Sequence, residues 1–136
     1  MPFVVDASVA ACWLLPDEND HRADAAFDRF PKDTALVPSL WWFEMQNIFL
    51  SSERRGRLNA STTAQLLSLL NQMPIQTDRH TNEMELMTIA RRHKLTAYDA
   101  AYLELALRQH LPLATLDTAL MRAAKAEGVN VIGEAI

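Results

Sequence analysis

Apolar residues in this chain fall into two patterns that alternate along it. Short runs, Phe3-Val4-Val5, Thr34-Ala35-Leu36-Val37, Ile75-Gln76-Thr77, Leu113-Ala114-Thr115-Leu116 and Val129-Asn130-Val131-Ile132, have the length and branching of strands. Between them, apolar residues recur every three or four positions, the spacing of amphipathic helices. Val9, Cys12, Trp13 and Leu15 mark an inner face over Ala7 to Leu15, stopped by Pro16. Ala23, Ala26, Phe27 and Phe30 do the same from about His21 to Phe30, ahead of Pro31. A longer helix is predicted over Leu40 to Arg55, with Ser39 as its cap and Gly56 where a C′ glycine belongs. Further helices are predicted from Ala60 to Met73, from about Thr81 to Lys94, from Thr96 or Tyr98 to about His110, and from about Thr118 to Glu127. Strands alternating with helices predict an α/β domain in three layers, α/β/α, with a parallel sheet of about five strands between helices.

The 136 residues suit one domain over 1–136, large enough to bury a core without staples. A single cysteine, Cys12, excludes an internal disulfide and fits a reducing compartment. No apolar run approaches the roughly 18 residues of a membrane span. The first residues lack the basic and apolar regions of a secretory signal, so a cytoplasmic protein without membrane association is expected. The net charge is −4, from 17 acids and 13 bases. Setting four acids aside for one site leaves 13 of each sign, so the acidity has a local explanation and the domain as a whole is no basic nucleic-acid binder. Gly56 and Gly128 fall at helix ends and Gly133 near the tail, so neither the dinucleotide fingerprint nor the Walker loop is present. His21, His80, His93 and His110 show no zinc-type spacing, and nothing marks a covalent nucleophile.

Four acids stand in less ordinary places. Asp6 ends the first strand, and Asp117 ends the fourth run, with Thr115 two residues earlier. Ligand sites in open α/β sheets lie outside the carboxyl ends of the strands, so two strand-ending aspartates point to one rim. Each also suits a plain helix cap, a task Ser8 is placed to share. Glu44 lies in Trp41-Trp42-Phe43-Glu44-Met45-Gln46-Asn47-Ile48, the most apolar helix start in the chain. A carboxylate there either faces solvent or is costly and functional, and Asn47 shares its face. Asp99 lies in Leu95-Thr96-Ala97-Tyr98-Asp99-Ala100-Ala101-Tyr102, near a helix start where simple dipole stabilisation is the competing explanation. Trp41-Trp42-Phe43 reads as core or interface before it reads as a base-stacking surface.

Taken in order, Val5-Asp6-Ala7-Ser8, Phe43-Glu44-Met45-Gln46-Asn47, Tyr98-Asp99-Ala100-Ala101-Tyr102 and Ala114-Thr115-Leu116-Asp117 resemble the PIN-domain ribonucleases, most closely the VapC toxins of bacterial type II toxin–antitoxin pairs. The resemblance spans nearly the whole chain. It implies a five-stranded parallel sheet between helices, with Asp6, Glu44, Asp99 and Asp117 lining a Mg²⁺ or Mn²⁺ site and Ser8, Asn47 and Thr115 supporting them. It also implies hydrolytic cleavage of RNA, a VapB-type antitoxin as partner, and a homodimer.

The chemistry of such a cluster supports the same expectation. Two carboxylates about 4 Å apart at an effective dielectric near 20 repel by about 4 kcal/mol, so a group of four calls for a cation. Hard oxygen ligands select Mg²⁺ or Mn²⁺ over zinc. Asp6, Asp99 and Asp117 are expected to bind metal directly or through water. Glu44 is expected to hold a water or a second ion and to help deprotonate the attacking water. Candidates for an RNA path are Arg54, Arg55 and Arg57, and Arg91, Arg92 and Lys94; solvated helix-end charges are the plainer reading of both groups. Competing readings are a PIN nuclease of RNA processing with no toxin role, a phospho-accepting receiver domain, and a metal-free binding module on the same fold.

Overall fold

The computed structural model describes residues 1–134; positions 135 and 136 of the expected domain lie outside the described residues. In chain order the elements are β1 (Phe3–Val5), α1 (Ala7–Leu14), α2 (His21–Phe27), β2 (Ala35–Pro38), α3 (Leu40–Arg54), α4 (Ala60–Gln72), β3 (Ile75–Asp78), α5 (Glu83–His93), α6 (Ala97–Gln109), β4 (Leu113–Ala114) and α7 (Thr118–Ala126). The strands form one parallel sheet in the order β3-β2-β1-β4. Phe3, Val4 and Val5 are fully buried, as a parallel strand covered on both faces must be. Helix α6 packs on β1, β2 and β4, with α5 and α7 against it, while α1 packs on α2 and α3.

The topology sets up the site. Strands β1, β2 and β3 step outward in one direction, and the chain then returns to place β4 on the other side of β1. The order therefore reverses between β1 and β4, and crevices form at such a reversal. Register pairs Val4 with Leu113 and Val5 with Ala114, which carries Asp6 beside Thr115 as the two chains leave the ladder. The Asp6 N–H donates to the Ala114 carbonyl at 3.0 Å, the last rung before the acid.

Two expectations need correction. The sheet has four strands, and the run Val129 to Ile132 is a single bridge between Leu113 and Val131. Leu113 alone serves both sides of it: its N–H donates to Asn130 and its carbonyl accepts from Ile132, each at 2.9 Å. The chain then turns at Gly133, whose φ of +83° ends any ladder; a side chain there would meet Arg22 Cα at 2.8 Å. The second correction is Ser39, which does not cap α3. Its backbone is already helical, at φ −56° and ψ −34°, whereas a side chain caps from extended backbone. The other end of α3 closes as expected, with Gly56 at φ +75°, the Gly56 N–H on the Glu53 carbonyl and the Arg57 N–H on the Ser52 carbonyl.

Candidate metal site at the sheet switch point

Asp6 is buried, with 5% of its surface exposed, and each of its oxygens has a partner. Oδ1 accepts from the Ser8 hydroxyl at 2.6 Å and from the Val9 N–H at 3.1 Å, and Oδ2 accepts from the Thr115 hydroxyl at 2.5 Å. Capping and site geometry thus coincide in one carboxylate. Burial pushes its pKa up from an ordinary 3.8 to about 6, against the pull of those three donors, and Glu44 adds repulsion. Ser8 also accepts from the Leu116 N–H at 3.0 Å, tying the start of α1 to the chain beyond β4. Asp117 caps α7 through the Leu120 N–H at 2.8 Å, and its own N–H donates to Thr115 at 3.0 Å. Thr115, fully buried, therefore bridges the two strand-ending aspartates.

Glu44 and Asp99 come to the same rim from helices. Both are half-buried. Burial raises the Glu44 carboxyl, a hydrogen bond from the Tyr102 hydroxyl draws it back down, and Asp99 raises it again. Burial likewise raises Asp99, and Asp117 adds to the rise. The repulsions run Asp6 to Glu44, Glu44 to Asp99 and Asp99 to Asp117, so the four acids share one field. No ion pair among the described residues involves any of them. Other carboxylates do have cations: Asp20 has Arg22, Asp78 and Glu104 have Arg108, and Glu127 has Arg92, with the His93 ring also in hydrogen-bond contact.

This donor set fits a hard divalent cation. Among the described residues, no three His, Cys, Asp or Glu side chains stand close enough to form a finished cage. Mg²⁺ does not require one, since it keeps several waters and binds through one or two carboxylates.

Tyr102 is the site residue that sequence reading passed over. It is 1% exposed, its hydroxyl donates to Glu44 Oε1, and burial followed by that bond pushes its pKa far above the ordinary tyrosine range. A sequence signal was present: Tyr102 stands three residues after Asp99 on one helix and so shares its face. Of the remaining candidates, Asn47 is exposed on α3, one turn beyond Glu44. Arg54, Arg55 and Arg57 are exposed at the end of α3, and Arg55 and Arg57 line a cleft that also holds Ser8 and Asn47. Arg91, Arg92 and Lys94 are exposed at the end of α5 and do not line it; Arg92 is committed to Glu127 of the neighbouring region at 2.7 Å. Of the aromatic cluster, Trp41 is core, Trp42 donates to Thr77 at 2.8 Å, and Phe43 is 69% exposed. Among the described residues no helix is long and apolar enough to cross a membrane.

Fold and rim together define a parallel α/β domain whose rim acids, where the strand order reverses, have no ion-pair partner among the described residues. The chain belongs to the PIN-domain family, whose pattern it matches over residues 3–126. It is 31% identical over 123 residues to a protein named ribonuclease VapC3 from Pyrobaculum aerophilum, covering 88% of this chain and 92% of that one. The solved structure of PAE2754, also from Pyrobaculum aerophilum, is similar with a TM-score of 0.67 at 25% identity, covering 96% of this chain and 92% of that one. A toxin–antitoxin complex from Klebsiella pneumoniae contains a chain of the same fold, with a TM-score of 0.60 at 16% identity, covering 85% of this chain and 87% of its own.

Proposed function

We propose that this protein is a Mg²⁺- or Mn²⁺-dependent endoribonuclease, a single domain over 1–136 acting in the cytoplasm as the toxin of a VapBC-type toxin–antitoxin pair. The observation that carries the reading is the rim itself: four carboxylates, coupled in series and without a basic partner, at the switch point of a PIN-family sheet. The ribonuclease name of the Pyrobaculum relative supports RNA as substrate. Complexes of antitoxin with toxin among its structural likenesses support a VapB-type antitoxin, and a homodimer is part of the same reading.

Asp6, Asp99 and Asp117 would hold the ion directly or through water, and Glu44 would hold a water or a second ion. Bound metal supplies Lewis acidity that acidifies the attacking water and stabilises the leaving oxygen. The chain's own residues set the geometry. Ser8 and Thr115 fix the Asp6 carboxylate from both sides, and Thr115 fixes the backbone that carries Asp117. Tyr102 holds Glu44 by one oxygen and leaves the other free to accept a proton from water.

The direct experiment is incubation of a mixed RNA pool with purified protein in Mg²⁺, in Mn²⁺ and in EDTA, with melting temperature followed under the same conditions. Cleavage is expected with either metal and none in EDTA, and Mn²⁺ is expected to raise the melting temperature. Absence of both effects would sink the reading in favour of a binding module. Tyr102→Phe tests the arrangement more finely. Phenylalanine keeps the packing but leaves Glu44 without its donor. Outer-shell partners of metal ligands are worth about 10–100-fold, so the Mn²⁺ midpoint of the thermal shift should move up at least about tenfold. An unmoved midpoint would show that Tyr102 only fills space.

A further inference from the structure

A cleft of about 400 Å³ lies between α1 and α3, next to the acidic rim, although none of the four acids stands on its lining. Ser8, whose hydroxyl donates to Asp6, stands on its lining and connects it to the rim. Arg55 and Arg57 stand on its lining, and neither guanidinium has an ion-pair partner among the described residues. The helix period explains how one wall joins acid to cation. Glu44, Asn47, Ser51 and Arg55 follow at steps of three, four and four residues and share a face of α3. Past Arg55, the turn at Gly56 folds the backbone onto Ser52 and sets Arg57 on the same cleft. The lining also has apolar residues, among them Leu15, just past α1, and Leu116 from the chain after β4, and Glu18 stands on it as an acceptor.

We propose that this cleft is a nucleotide subsite. It would hold the RNA strand beside the bond being cut, with an unpaired base against Leu15 and Leu116 and a backbone phosphate between Arg55 and Arg57. The inference rests on the ribonuclease reading and sharpens it. The substrate must carry at least one further phosphate and be single-stranded there, because a stacked and paired base cannot enter a cleft. Charge complementarity selects the occupant. The chain carries a net charge of −4, so two arginines without an ion-pair partner among the described residues, on a cleft that also holds Ser8, are not a by-product of general basicity. From Glu44 to Arg55 the helix advances about 16 Å, at about 1.5 Å per residue, a length that spans more than one nucleotide.

The test is binding of labelled single-stranded RNA, followed by anisotropy across a salt series, with full-length protein carrying Asp6→Asn so that the probe survives. On that background Arg55→Ala/Arg57→Ala is compared with Lys32→Ala/Arg122→Ala, two exposed cations that do not line the cleft. Each lost phosphate contact on a single strand removes about 0.7 from the slope of log K against log salt, so the arginine pair, which would share one phosphate, should lose about 0.7 and weaken binding about tenfold or more. Lysine at both positions should keep the slope, and the control pair should change little. Cleavage by otherwise wild-type protein, run in parallel, separates the two levels of the reading. If wild type cleaves but the Arg55/Arg57 pair leaves binding and slope unchanged, the cleft holds something else, a partner protein foremost, and the subsite is overturned while the nuclease stands. An equal loss in the control pair also overturns it. If wild type neither cleaves nor binds RNA, both readings fall together.

Discussion

Asp6→Asn is expected to make the metal-free protein more stable while removing its cleavage activity. The two effects have one cause. Asparagine serves as well as aspartate at an N-cap, and its carbonyl can keep the Val9 and Ser8 bonds. What disappears is the charge, together with the Oδ2 acceptor of the Thr115 hydroxyl, which must turn to accept from the new amide. Moving the Asp6 carboxyl from 3.8 to about 6 corresponds to about 3 kcal/mol of ionisation cost above pH 6, an upper estimate for the gain. A domain of this size gains up to about 10 °C in Tm from that much. The pH dependence carries the sign. Because the folded pKa is raised, the folded state holds a proton that the unfolded chain has released between about pH 4 and pH 6. Wild-type stability from this group is therefore greatest below pH 4, falls as pH rises to about 6, and is level above that. Asp6→Asn should lack this fall. Saturating Mn²⁺, at a hundred times its Kd, restores about 2.7 kcal/mol to wild type and little to the variant. Cleavage should drop more than about a hundredfold, since even outer-shell partners of metal ligands are worth 10–100-fold. Paired melting curves at pH 4.5 and 7.5, with and without Mn²⁺, decide the matter. A variant that melts lower than wild type at pH 7.5 would show Asp6 to be a structural cap alone.

The acids were legible in the sequence because their signals are local. Phe3-Val4-Val5 runs straight into Asp6, and Leu113-Ala114 toward Asp117, and a parallel sheet sends both to one rim whatever else the chain does. Glu44 and Asp99 were visible only as misfits in apolar surroundings, and a familiar ordered set was needed to join them to the others. Tyr102 was illegible as a partner because its bond to Glu44 crosses 58 residues, and a tyrosine on a helix reads first as core. The fifth strand failed for a related reason. Val129 to Ile132 has the composition of a strand, but its pairing ends where the Gly133 turn passes close behind Arg22, a contact between distant segments. The cleft, too, depends on the packing of α1 against α3, which no spacing along the chain reveals.

The opposite treatment of charge appears at the other end of α6, and it yields the largest expected loss. Arg108 lies between two carboxylates that are nearly buried, Glu104 with 2% and Asp78 with 7% side-chain exposure. Its Nε donates to Glu104 at 2.7 Å, one terminal nitrogen donates to Asp78 at 3.1 Å, and the other donates to the His80 carbonyl at 3.1 Å. The fork thus moors α6, the helix of Asp99 and Tyr102, to the end of the edge strand β3. Arg108→Ala strands two carboxylates that face each other in poor solvent. Breaking a fully buried pair costs about 3–5 kcal/mol, and with Arg108 a quarter exposed the lower end applies, roughly 10 °C in Tm for a domain of this size. Arg108→Lys should recover only part, because an ammonium is a point donor and cannot span both acids as the fork does. Acid distinguishes this loss from simple loss of packing. Burial pushes the Asp78 carboxyl up, and Arg108, with the His80 N–H and Gln109, brings it below the ordinary range. In wild type that contribution is present above the unfolded pKa and is lost as pH falls through the folded value. Without Arg108, burial is opposed only by the His80 N–H and Gln109, so the Asp78 carboxyl rises and protonation relieves the variant as pH falls. The gap in stability between wild type and Arg108→Ala should therefore narrow from pH 7.5 to pH 5, and a gap that stays constant would assign the loss to packing. The Mn²⁺ midpoint then tells whether mooring reaches the site: if it shifts in Arg108→Ala at a temperature where the variant is fully folded, the position of Asp99 and Tyr102 depends on an ion pair on β3, and the paired acids of this chain serve the unpaired ones.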